Sequence, residues 1–129
     1  MFDYNTRELV IRNYINAYNA FDVHGMIKDM DTNILFENIS DGQVTMSLKG
    51  IEAFRQQAEQ SLSYFSSRNQ SIETLVHEKD QTVVELNYRA VLAMDFPNGL
   101  KKGDQIQLRG KSIFKFSKEN KIIHLKDIA

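Results

Sequence analysis

The sequence predicts an α+β fold in which a strongly bent antiparallel sheet wraps around three N-terminal helices. Three observations lead there. In the first half, apolar residues recur at spacings of three and four, the period of a buried helix face. From residue 71 onward they alternate with polar ones, as in strands with one buried side. No strand–helix–strand alternation and no glycine-rich loop after a strand occurs, so neither a doubly wound domain nor a phosphate-binding loop is expected.

Asn5 is a candidate cap for the first helix, with Glu8 placed to reach back to its backbone N–H. Val10, Ile11, Tyr14, Ile15, Tyr18 and Phe21 mark the buried face. Asn19 and Asp22 loosen the helix, and Asp22 can cap a second one over Val23 to Met30. Ile34 to Ile39 reads as a strand and Val44 to Leu48 as its return. Between them Asp41-Gly42 supplies the positive φ angles of a tight hairpin. Gly50 precedes a third helix, whose stripe is Ile51, Phe54, Ala58, Leu62 and Phe65 and which fades into Ser66-Ser67-Arg68-Asn69.

Four strands follow: Ile72 to Glu78, Thr82 to Phe96, Gln105 to Ser117, and Lys121 to Ile128. The second has apolar residues at every even position from Val84 to Phe96. At about 3.3 Å per residue it would span roughly 45–50 Å, so it must bend, with a bulge as the expected device.

With 129 residues the chain fits one domain over 1–129, large enough to bury a core without staples. The net charge of −1 and the lack of a lysine or arginine cluster argue against nucleic acid as a partner. The absence of cysteine rules out disulfides and thiolate chemistry and suits a cytoplasmic location. The first residues lack the pattern of a secretory signal, and no stretch is apolar enough for a membrane span. His24, His77 and His124 form no short metal-binding pair, so neither metal nor cofactor is expected. The five methionines read as adaptable core or pocket lining.

Three segments carry a family resemblance. They are Tyr14-Ile15-Asn16-Ala17-Tyr18-Asn19-Ala20-Phe21-Asp22 running into Ile34-Leu35-Phe36-Glu37-Asn38, then Leu48-Lys49-Gly50-Ile51-Glu52-Ala53-Phe54, and Gly110-Lys111-Ser112-Ile113-Phe114-Lys115-Phe116 followed by Lys121-Ile122. Together they resemble the nuclear transport factor 2-like superfamily, in its branch of SnoaL-like, polyketide-cyclase-like small proteins. The resemblance covers nearly the whole chain. It implies a cone-shaped sheet with a pocket at its open end and a homodimer through the outer sheet face. It does not imply one chemistry.

Aligned with ketosteroid-isomerase-like members, Tyr14 matches the tyrosine, the base position falls on Asn38 and the acid position near Ser112. An amide cannot take up a proton at neutral pH, so that activity is not expected. Resemblance to the polyketide-cyclase-like members points instead to Asp127 as acid/base. Strict alternation puts Ile123, Leu125 and Asp127 on one face and His124 on the other. A buried carboxylate there suits proton transfer, whereas a solvated or salt-bridged one would be merely structural. Epoxide-hydrolase-like members need two aspartates bridged by an arginine, and Arg89 and Arg109 both have outer-face parity. Glu37 is a second candidate base, or an outward residue paired with a cation such as Lys49.

The expected pocket lining, beyond Asp127, Tyr14 and Asn38, is Tyr18, Phe36, Phe54, Tyr88, Ser112 and Phe114. Such walls suit a small, largely apolar, oxygenated ligand. Two functions stay open: cofactor-free isomerisation, cyclisation or dehydration of such a ligand, or a non-catalytic interaction module with a self-filled pocket. A transport adaptor is a weaker third.

Overall fold

A computed structural model describes residues 3–129. The elements are α1 (Tyr4–Asn19), α2 (Val23–Ile27), β1 (Met30–Ser40), β2 (Gln43–Lys49), α3 (Ile51–Ser61), a 3-10 turn (Leu62–Tyr64), β3 (Phe65–Glu78), β4 (Gln81–Leu92), β5 (Gln105–Phe116) and β6 (Ile122–Ile128). The strands form one sheet in the order β2-β1-β6-β5-β4-β3. The β1–β6 pair is parallel and the other neighbours are antiparallel. This is the expected α+β class, with the helices packed on one face of a bent, open sheet.

Helix α1 begins two residues earlier than its sequence suggests. Asp3, not Asn5, is the cap, accepting hydrogen bonds from the Thr6 backbone N–H at 3.0 Å and the Thr6 hydroxyl at 2.6 Å. Glu8 instead pairs with Arg12 at 3.0 Å. At the other end, Phe21 N–H donates to the Tyr18 carbonyl at 3.1 Å and Asp22 N–H to Ala17 at 2.9 Å, closing the helix in a Schellman motif. Phe21 occupies the left-handed position, at φ 60°. Asp22 caps α2 as expected, through Gly25 N–H at 3.0 Å, but α2 stops at Ile27 and Met30 already belongs to β1.

The β1–β2 hairpin turns on Asp41 and Gly42, at φ 52° and 75°. The third helix ends earlier than predicted. The Ser61 and Ser63 hydroxyls bond back to the carbonyls of Ala58 and Gln60, and Phe65 opens β3 instead of extending the helical stripe. Ser66 to Asn69 are therefore strand.

β4 also stops short of its predicted end, at Leu92. The Asp95 and Asp104 carboxylates accept from the Lys102 and Lys101 backbone N–H groups at 2.9 and 2.8 Å, folding residues 93–104 into a compact loop. β4 has no bulge in its pairing with β5. The register shifts lie in β3 between Phe65 and Ser67 and between Ile72 and Thr74, in β1 between Met30 and Leu35 and between Asn38 and Ile39, and at Lys115/Phe116. The β3 shift moves the inward positions from even residues to Leu75 and His77.

The core lies between the helices and the inner sheet face. Ile11, Ile34, Val84, Leu92, Phe114, Ile122 and Leu125 are its most enclosed apolar side chains. Of the methionines, Met26 and Met30 are buried, Met46 packs against the core, Met94 is exposed, and Met1 lies outside the described residues. Among the described residues, no helix is long and apolar enough to cross a membrane.

Candidate functional site

Strand register assembles the site. Asn38 on β1 is directly opposite Asp127 on β6, and Asp127 is opposite Ser112 on β5. Met46 and Val84 continue the row outward on β2 and β4. Directly opposed residues share a sheet face, so one inner-face row reads Met46, Asn38, Asp127, Ser112, Val84. Three residues far apart in sequence, and singled out there for separate reasons, meet in this way.

The row borders a cavity of about 340 Å³, which Tyr18, Asn38, Leu86, Tyr88, Ser112 and Asp127 help to line. That volume is near the lower end of the roughly 300–1,000 Å³ typical of small-molecule sites. Gly110, opposite Leu86, leaves the wall open where a side chain would stand. A Cβ added there would meet the Ile128 carbonyl oxygen at 3.3 Å.

The Ser112 hydroxyl donates to Asp127 Oδ1 at 2.6 Å. Burial among apolar walls pushes the Asp127 carboxyl up to about 6, and the Ser112 hydrogen bond opposes that rise. Such a carboxyl is largely ionised at neutral pH yet retains useful basicity.

Tyr14 is 6% exposed and packs edge-on against Phe114. Its hydroxyl has no hydrogen-bond partner among the described residues, yet no fully buried side-chain oxygen there lacks one. The Tyr14 hydroxyl is therefore not wholly enclosed, but Tyr14 is not among the residues that line the cavity. Burial raises its pKa well above the ordinary phenol value, the Asp127 charge adds to the rise, and Arg68 opposes it. One helical turn on, the Tyr18 hydroxyl lies 2.9 Å from that of Tyr88. Burial raises both of these pKa values as well.

The SnoaL-like domain family matches residues 11–125 of the chain. The chain belongs to that family. No curated protein sequence matches it. Among solved structures it is similar to SalBIII, an epoxide hydrolase/cyclase-like enzyme with a role in pyran ring formation in the polyether salinomycin. That match has 18% identity, covers 99% of this chain and 93% of the other, and has a TM-score of 0.79. A candidate SnoaL-like polyketide cyclase from Jannaschia sp. CCS1 matches at 12% identity over 95% and 84%, with a TM-score of 0.78. An LEH-like epoxide hydrolase of M. tuberculosis matches at 11% identity over 95% and 80%, with a TM-score of 0.75. At these identities the likeness concerns the fold.

Within this SnoaL-like fold the other sequence candidates fall elsewhere. Phe36 and Phe54 pack edge-on at 5.2 Å in the core, and Phe114 is fully enclosed; none of the three borders the cavity. Arg89 and Arg109 border a polar basin on the opposite sheet face with Asn69, Ser71 and Asn87. Arg109 is 81% exposed in its side chain and lies 3.4 Å from Glu73. Glu37 also points away from the cavity, but its partner is His124, at 2.7 Å, not Lys49. His24 is exposed, while His77 stacks on Tyr4 and meets Thr82 Oγ1 at 2.8 Å. Among the described residues, no group of three or more histidine, aspartate or glutamate side chains could hold a metal.

The sequence reading missed Arg68. It is 5% exposed, and its guanidinium lies over the rings of Tyr18 and Phe21. It stands in a run of small polar residues that looks like a fading helix, so the cue was its parity with Gln70 and Ile72, visible only once residues 65–78 are read as strand.

Proposed function

We propose that this SnoaL-like protein binds a small, largely apolar, oxygenated molecule in the cavity and moves a proton on it without a cofactor. Asp127 is the base, and Asn38, opposite it on β1 and bordering the same cavity, orients the ligand's polar atoms. The observation that carries the reading is the Asp127 carboxyl itself. It sits on an apolar wall, is held by one hydrogen bond from Ser112, and borders open volume. A base raised by desolvation and facing a cavity is the arrangement proton abstraction next to a carbonyl needs. The cyclase-like fold neighbours agree with such chemistry. The open cavity favours this reading over a non-catalytic module with a self-filled interior.

The test is hydrogen exchange in D2O. A panel of cyclic ketones and 1,3-diketones is incubated with the protein, and deuterium at the α-carbon is followed by proton NMR. The wild type should accelerate exchange on at least one member, and Asp127→Asn should return it to the buffer rate while remaining folded. Equal rates for the two proteins would remove Asp127 from the role.

A further inference from the structure

Arg68 is a buried cation that the proton-transfer reading leaves unused. Its Nε donates to the Tyr18 backbone carbonyl at 2.8 Å. Its guanidinium carbon lies 3.8 Å from the centre of the Tyr18 ring and 4.5 Å from that of Phe21. Among the described residues, no carboxylate lies within ion-pairing distance of it. Burying a guanidinium without a counter-charge is expensive, and two ring faces, one carbonyl and the Met26 sulfur at 4.0 Å compensate only in part. The Arg68 positive charge acts on a cluster of nearby phenols, Tyr14, Tyr18 and Tyr88, opposing the rise that burial gives their pKa values.

That cluster is ordered. Tyr18 and Tyr88 both border the cavity, on a wall that also holds Asp127, and their hydroxyls are 2.9 Å apart. One hydroxyl donates to the other, so of the two protons one is spent within the pair. The second remains free to donate to an acceptor in the cavity. Burial keeps both phenols protonated, and the Arg68 charge is an opposing influence on each. A phenol that stays neutral but is polarised by a cation behind its ring is a strong donor.

We propose that the Tyr18–Tyr88 hydroxyl pair, backed by the Arg68 guanidinium, receives the ligand oxygen on which negative charge develops, and that the ligand is a carbonyl compound with an acidic α-hydrogen. This rests on the proton-transfer reading of the same cavity and adds where the charge goes. The Asp127 carboxylate takes the α-hydrogen as a proton, and the C–H electron pair becomes the new C=C bond. The carbonyl π pair moves to oxygen, where the free phenol O–H donates to it. Charge is conserved: it leaves the carboxylate and appears on the enolate oxygen beside Arg68. Tyr18 and Tyr88 touch the ligand, and Arg68 is a positioning residue that acts through Tyr18.

The test uses charge on a bound ligand. The Asp127→Asn protein keeps the cavity and loses its negative charge. It is titrated with 4-nitrophenol, at a pH where that phenol is ionised, and with nitrobenzene, the neutral counterpart without the oxygen. The phenolate should bind more tightly than nitrobenzene by about tenfold or more, the worth of one hydrogen bond to a charged acceptor. Adding Tyr18→Phe together with Tyr88→Phe, or Arg68→Met, should bring the ratio towards one while nitrobenzene affinity stays within about twofold, which a merely structural role would not produce.

Equal affinity for the two ligands in Asp127→Asn, failure of both to bind, or a preference untouched when Tyr18→Phe and Tyr88→Phe are combined would each overturn the inference. Its failure is separable from that of the base assignment. If α-deuteration depends on Asp127 but survives the combined Tyr18→Phe and Tyr88→Phe changes together with the phenolate preference, only the donor pair is overturned.

Discussion

The Ser112 hydroxyl and the Asp127 carboxylate are joined by a 2.6 Å hydrogen bond across neighbouring strands, inside the wall of the cavity. The bond favours the charged form of a carboxyl that burial disfavours. Removing it should therefore raise the Asp127 pKa further above its value of about 6. A hydrogen bond to a charged group is worth about 1.5–3 kcal/mol, so Ser112→Ala should raise it by about 1–2 units. Carbon-13 NMR titration of the aspartate carboxyls measures this directly. An unchanged or lowered pKa would mean that Ser112 does not tune the base. Any Asp127-dependent activity should follow, with its acidic limb moving to higher pH.

The same shift makes Asp127 a stability cost at neutral pH. Its folded pKa, about 6, lies above the ordinary value of 3.8. Between those values the folded state binds more protons than the unfolded chain, so this residue's contribution to stability falls as pH rises from about 4 to about 6. Above that window the cost is fully present, and below it the cost is gone. Asp127→Asn removes the ionisable group, so it should stabilise the protein at pH 7.5 by up to about 3 kcal/mol, with the gain vanishing towards pH 4. Urea denaturation of both proteins at several pH values checks it. A pH-independent difference would show that the carboxyl is not desolvated.

The architecture was legible in the chain because period and turn chemistry are local. The alternation from Val84 to Leu92 and the Asp41-Gly42 turn name their structures without help from the rest of the fold. Asp127 was legible for a similar reason, since alternation with Leu125 sets its face. What stayed hidden depends on partners distant in sequence. β3 is an edge strand, and its polar start from Ser66 to Gln70 carries no apolar alternation. It is held in place when the Asn19 side chain accepts from Gln70 N–H at 2.7 Å and donates to the Gln70 carbonyl at 3.0 Å. Only with that strand in place does Arg68 turn inward under Tyr18. Phe36, Phe54 and Phe114 show the converse. Their inward faces were legible, but whether an inward aromatic meets cavity or core depends on which helix lies above it.

Arg7 ties two turns to the first helix. Its Nε donates to Asn120 Oδ1 at 3.1 Å and its Nη1 to the Lys79 carbonyl at 2.6 Å, while its guanidinium lies 5.2 Å from the centre of the Phe116 ring. Lys79 and Asn120 both have positive φ, at 48° and 61°, so the arginine braces two turns in an unfavourable backbone conformation. Arg7→Met keeps much of the buried stem and leaves both acceptors without that donor. It should cost about 2–3 kcal/mol in urea denaturation. Amide exchange should quicken at the β3–β4 and β5–β6 turns together. A loss confined to one turn would limit the brace to that site.

Phe21 separates backbone strain from side-chain stacking at one position. It closes α1 in the left-handed region, where a residue with a Cβ is penalised by about 1–2 kcal/mol and glycine is not. Its ring covers the Arg68 guanidinium at 4.5 Å, an attraction of about 1–2 kcal/mol for a desolvated pair. Phe21→Ala loses the ring and keeps the strain, whereas Phe21→Gly loses the ring and relieves it. Both should be less stable than the wild type, with glycine the more stable of the two by about 1 kcal/mol. Parallel urea denaturation of the three proteins reads both differences. If Phe21→Gly exceeded the wild type, the ring would contribute less than the strain it imposes, and Arg68 would have to be held by Tyr18 alone.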